Sequence, residues 1–168
     1  MAFNLDLRPA NGCPLFKLKI REQARFLVQK TTIISRKKMN SWNELDGSNF
    51  FNKVFTSPIP IGEIELFSIN IDNSRPVIIM EFDIPDYPDA PPAKWKQSGF
   101  NTCRIGLNCS NIEDLLIKNI PTHEKMTIKI TSNEQKFRVI ASSENSLIEF
   151  TTKHPLLCGP SAYLNAPE

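Results

Sequence analysis

The sequence predicts an α+β, β-rich fold: a mostly antiparallel sheet of hairpins and meanders with one short N-terminal helix. Three features predict it. Apolar residues alternate along several stretches of strand length, the connections between them are of hairpin length, and the one segment with a clear helix start precedes them all.

The helix is "SNFFNKVF". Ser48 is placed to cap it, because a serine oxygen can accept from the unpaired amides of a first turn. "TSPIPIG" ends it, since proline removes a donor and restricts its predecessor. A hairpin follows in "EIELFSINIDNSRPVIIMEFDI", where Phe67, Ile69 and Ile71 alternate, as do Ile78, Met80, Phe82 and Ile84. A two-residue turn at Asn73-Ser74 sets Asp72 opposite Arg75, Ile69 opposite Ile78 and Phe67 opposite Met80, with both apolar rows on one face. Ile64 and Leu66 are out of phase with the later row. A bulge near Leu66 restores it and turns Glu63 and Glu65 outward beside Glu81 and Asp83.

Next come "NTCRIGLNC", with Cys103, Ile105, Leu107 and Cys109 alternating, and the short apolar run "DLLIKNI". "KMTIKI" and "KFRVIA" flank the turn "TSNEQ", and "SLIEFTT" is the last strand. The tail "HPLLCGPSAYLNAPE", with two Pro/Gly breaks, reads as coil laid on the sheet.

The 168 residues, 40% hydrophobic and 23% charged, suit a single globular domain with a real core. Charge divides the chain. Residues 1–38 hold nine basic and two acidic residues, +7; residues 39–168 hold 11 basic and 16 acidic, −5. We therefore read 1–38 as a basic N-terminal extension and 39–168 as the β-rich domain. Three readings of the extension stand: an arm for nucleic acid or membrane, a solvated helix packed on the domain, or an overlong start with Met39 as the natural one. No run approaches the roughly 20 apolar residues of a membrane span. "MAFNLDLRPANGCPLFKLKIREQ" lacks the apolar region of an export signal, so the expected location is cytoplasmic and Cys13, Cys103, Cys109 and Cys158 are expected as free thiols.

Catalytic patterns are few. "THEKM" lacks the second histidine of a zinc-binding helix, so His123 and His154 read as structural. "CGPSAYL" lacks the spacing of a nucleophile elbow, and the six glycines form no phosphate loop. Cys103 and Cys109 would stand about 20 Å apart along a strand, too far to share a metal. The expectation is no catalytic residue, no metal and no cofactor.

One stretch stands out. "MEFDIPDYPDAPPAKW" begins as a strand, turns acidic and passes through Pro85, Pro88, Pro91 and Pro92 to Trp95. Glu81, Asp83, Asp86 and Asp89 lie within nine residues and are expected to point to water. Such carboxylates repel one another unless a cation compensates. A solvated loop pinned by Trp95, a docking surface for a basic partner, and a calcium site are the readings left open.

"SWNELDGSNFFNKVFTSPIP", "EIELFSINID", "PDAPPAKW" and "FNTCRIGLNCSNIEDLLI" together resemble immunity protein family 50 of bacterial polymorphic-toxin systems. Trp42 before a short helix, the step to Pro58 and Pro60, the Pro91-Pro92-x-Lys94-Trp95 element and the strand from Asn101 to Leu107 carry the resemblance, over about residues 41–164. It implies a cytoplasmic bacterial protein that binds and blocks the C-terminal domain of a cognate toxin, as in contact-dependent growth inhibition, without catalysis. Many such toxin domains are nucleases. A nuclease holds phosphates on a basic surface, so an acidic inhibitor suits one. The expected partner-binding residues are Glu63, Glu65, Glu81, Asp83, Asp86, Asp89 and Trp95. The rival reading is a sheet that binds single-stranded nucleic acid through the basic extension.

Overall fold

The computed structural model describes residues 37–133 and 135–165. The basic extension up to residue 36, and Cys13 with it, lies outside the described residues.

Among the described residues, nine strands form one antiparallel sheet: β1 (Lys37–Lys38), β2 (Glu63–Asp72), β3 (Val77–Ile84), β4 (Thr102–Ser110), β5 (Glu113–Lys118), β6 (Lys125–Asn133), β7 (Lys136–Ser142), β8 (Leu147–Thr152) and β9 (His154–Tyr163). Their order is β5-β8-β7-β6-β2-β3-β4-β9, and β1 pairs with β6. Two four-strand halves meet at β2 and β6, whose ladder is only Glu63–Glu65 against Lys125–Thr127.

Alternation decides which side chains go in. Ile78, Met80, Phe82 and Ile84 of β3 and Cys103, Ile105, Leu107 and Cys109 of β4 are buried. In the other half, Met126, Ile128 and Ile130 of β6, Val139 and Ala141 of β7, and Ile148 and Phe150 of β8 are buried, and all belong to one core. The segment before β2 covers that core. It holds a 3₁₀ turn at Trp42–Glu44 and α1 (Phe51–Val54), and it places Trp42 against Phe82 with ring centroids 5.4 Å apart.

The expected bulge is present: the register shifts between Leu66 and Ser68, so Glu65 faces Asp83 and Ser68 faces Glu81. The hairpin differs from the two-residue turn. Asp72 pairs with Val77 and Ile71 with Ile78, leaving a four-residue connection, Asn73–Pro76. The Asp72 carboxylate accepts from the Ser74 amide (2.9 Å) and hydroxyl (2.7 Å), which folds the chain locally and displaces the register by two residues. A two-residue slip keeps every side chain on its face. Phe67 does leave the inward row: it is the bulged residue and is 61% exposed.

Three further expectations are corrected. Ser48 does not cap α1 through its side chain. Its carbonyl accepts from Asn52 (2.8 Å) while its hydroxyl donates to the Asn43 carbonyl (3.1 Å). The acidic ledge ends in a second helix, α2 (Ala93–Gln97), where the fold was expected to hold one. The tail is β9, ten residues long and paired with β4. Its prolines are compatible with a strand because β9 lies at the sheet edge, where one side needs no donors.

That edge is partly covered. The Leu157 amide donates to the Asp46 carbonyl at 2.8 Å. Gly47 allows the approach: its φ is +84°, and a Cβ there would stand 2.3 Å from the Leu157 carbonyl oxygen.

Candidate partner-binding face

The outer face of β2, β3, β4 and β9 gathers most of the expected residues. Strand alternation turns Glu63, Glu65, Glu81 and Asp83 outward because their neighbours Ile64, Met80, Phe82 and Ile84 fill the core. Antiparallel register then decides what each carboxylate meets.

Asp83 lies opposite Arg104. The guanidinium forks onto the carboxylate, Nε to Oδ1 at 2.8 Å and Nη2 to Oδ2 at 3.0 Å. Tyr163 of β9 closes the group: its hydroxyl donates to Asp83 Oδ2 at 2.6 Å and accepts from Arg104 Nη2 at 3.0 Å. The Arg104 and Asp83 side chains are only 19% and 14% exposed, so Asp83 does not point to water as expected. Its hydrogen bonds raise the Arg104 pKa further. Burial raises that of Tyr163, and the bond to Asp83 adds to it. Arg104 also carries aromatic rings, with Cζ 3.5 Å from the Phe67 ring centroid and 4.7 Å from that of Tyr163.

The remaining carboxylates are held less tightly. Glu63 accepts from Lys125 Nζ at 2.8 Å, an exposed pair that raises the lysine's pKa. Glu81 accepts from the Ser68 hydroxyl at 2.9 Å. Glu65 has His123 as its neighbour, with Nδ1 3.8 Å away on a ring that is 85% exposed. Glu65, Phe67, Asp83, Arg104, His123, Tyr163 and Asn165 line an open groove of about 660 Å³.

The ledge is built differently. Asp89 accepts from both the amide and the hydroxyl of Thr56, which lower its pKa, and the Ala90 amide donates to the Val54 carbonyl at 3.0 Å. Asp89 thus ties the ledge to the end of α1. Asp86 is half-buried. Trp95 on α2 is half-buried and meets Phe50 edge-on, with centroids 6.2 Å apart. The structure therefore separates the expected residues into a sheet-face group (Glu63, Glu65, Glu81, Asp83) and a ledge fastened to α1 (Asp86, Asp89, Trp95).

Phe67, Arg104 and Tyr163 were not among the expected residues. Arg104 was legible as the outward residue between Cys103 and Ile105, but its partner depends on which strands adjoin. Tyr163 lay in the segment read as coil.

The other groups with chemical potential are placed apart. Burial pushes the Cys103 and Cys109 thiols up to about 12, which leaves them protonated at neutral pH. His154 stands at the opposite end of the face, in a second groove of about 580 Å³ with Asp72, Arg75 and Asn108. Among the described residues, no three histidine, cysteine or carboxylate side chains are placed to hold a metal ion. Nor is any helix among them long and apolar enough to cross a membrane.

A family model described as Immunity protein 50 matches residues 47–163. The match runs from the turn before α1 to the Tyr163 that closes the Arg104 group. No curated protein and no solved structure matches the chain.

Proposed function

Because the chain belongs to the Immunity protein 50 family, we propose that it binds the toxic C-terminal domain of a cognate bacterial toxin in the cytoplasm and blocks it by stoichiometric masking. The observation that carries this is the family match over residues 47–163, which contains the whole acidic sheet face. Strands β2, β3, β4 and β9 bear Glu63, Glu65, Asp72, Glu81 and Asp83 against Arg104 alone. A face with that balance suits a toxin domain with a basic surface, and a nuclease is the class that needs one. Contact-dependent growth inhibition by polymorphic toxins is the setting this reading assigns.

Masking differs from catalysis in its stoichiometry. Titrating the toxin domain encoded beside this chain with purified protein should abolish toxin activity at one equivalent, and His123→Ala and His154→Ala should do the same, because covering a site needs no proton transfer. Neutralisation of excess toxin by a small fraction of an equivalent, lost in either histidine variant, would overturn masking.

A further inference from the structure

We propose that Phe67 is the anchor of the toxin interface, and that its occupant is a protruding toxin loop that lays an apolar side chain on the open face of the Phe67 ring and sets a lysine or arginine against Glu65. The inference rests on the immunity reading above and deepens it by naming the contact. Phe67 is the residue that the β2 bulge removes from the inward row, and it stands 61% exposed on an otherwise polar part of the face. A phenylalanine in water on a sheet face forgoes the burial it would gain in a core.

The ring is also held in place. The Arg104 guanidinium lies 3.5 Å beneath its centroid, and Arg104 is in turn fixed by the Asp83 fork and the Tyr163 hydroxyl. An aromatic side chain whose position is already set loses little freedom on binding, which is how hot-spot residues contribute more than their area. The cation under one ring face also selects the occupant of the other. A second cation there would be repelled by Arg104, whereas an apolar group would not.

A place for the partner's charge lies two residues away. Glu65 is directly across from Asp83 in the ladder, and Arg104 serves Asp83. The basic side chain within ion-pair reach of Glu65 is the His123 ring, 3.8 Å away and itself almost fully in water, while Lys125, its ladder neighbour, is bound to Glu63. A partner lysine or arginine can replace that loose contact with a direct one. The groove supplies the shape, with Pro121, Thr122 and His123 on one wall and Tyr163 and Asn165 on the other.

The test uses the full chain and the toxin domain encoded beside it, with binding kinetics as the readout. Phe67→Ala should weaken binding at least tenfold, chiefly through faster dissociation, while its melting temperature stays near that of the unaltered chain. Phe67→Leu should retain part of the affinity. Glu65→Gln should lose less, and should lose it mainly at low salt. Ile79→Ala, on the same face but in the other groove, should bind within twofold of the unaltered chain. Hydroxyl-radical footprinting of the unaltered chain should show Phe67 protected in the complex, a measurement that needs no variant to fold. If the unaltered chain binds while Phe67→Ala is equally tight and Phe67 is unprotected, the anchor is overturned and the immunity reading stands. If the unaltered chain does not bind that domain, both fall.

Discussion

The half of the sheet formed by β2, β3, β4 and β9 and the half formed by β5, β6, β7 and β8 share one construction on their inner side and diverge on their outer side. Inward rows of both enter a single core. Outside, the first half has five carboxylates and one guanidinium, whereas the second has Glu113, Asp114 and Glu149 against Lys118, Lys125, Lys129, Lys136 and Arg138. The second half pairs within itself, Lys136 with Glu113 and Arg138 with Glu149. The first pairs Asp83 with Arg104, while Glu63 takes its cation, Lys125, from β6. Stability is thus drawn from both halves, and unspent negative charge from one.

The largest expected effect tests the shared side. Phe82→Ala and Phe150→Ala each remove a fully buried ring, one from each half. Each should cost about 3–5 kcal/mol in denaturant unfolding. A large loss for one and a negligible loss for the other would show that the two halves do not form one cooperative core.

The ion pairs should separate the halves. Arg104→Met leaves the mostly buried Asp83 carboxylate without its fork and removes the support under Phe67, for an expected loss of about 2–4 kcal/mol. Arg138→Met breaks a pair whose arginine is 45% exposed and should cost under about 1 kcal/mol. Equal losses would mean that the Asp83–Arg104–Tyr163 group is no more structural than an ordinary surface pair.

How much of this contrast could be read beforehand follows from the range of the forces involved. Most of the inward rows and the bulge near Leu66 are local: they follow from alternation and from one break in its phase, although that break does not say that Phe67 is the residue turned out. The two-residue error in the β2–β3 turn arose from the Asp72 side chain binding Ser74, a choice that alternation cannot see because it preserves both faces. Arg104 beneath Phe67 is non-local. It requires β4 to lie beside β3 and β9 beside β4, and no pattern within one strand specifies its neighbours. Asp89 was read as free because its partner, Thr56, lies 33 residues away.

Alkali should weaken the fold through β4, because both deeply buried thiols, Cys103 and Cys109, lie on that strand. Burial raises each from an ordinary 9.0 to about 12 in the folded protein. The folded state therefore holds protons that the unfolded chain has released, and stability falls as pH rises through the window from about 9 to about 12. At pH 10 the expected loss is about 1–1.5 kcal/mol per thiol. Cys109→Val should flatten part of that slope in melts recorded from pH 8 to pH 10.5. An unchanged slope would assign the alkaline loss to other groups.

The smallest expected effect bears on the outer side and on function. In the half formed by β2, β3, β4 and β9, Glu65 and Glu81 are the outward carboxylates with no lysine or arginine within ion-pair distance among the described residues. Replacing both with lysine reverses their charge while leaving the Asp83 fork and the Asp89 tie intact. If this face meets a basic toxin domain, encounter is steered by its field, and association should slow by about tenfold at low salt, equivalent to about 1.4 kcal/mol. The difference should shrink above 0.1 M salt, where charges more than about 10 Å apart are screened. Reversing Lys118 and Lys129 in the other half, to glutamate, is the matched control and should change the rate less than twofold. The comparison turns on the relative size of the two effects. A larger change from Lys118 and Lys129 would move the interface to the basic half and make an acidic toxin surface the complementary one.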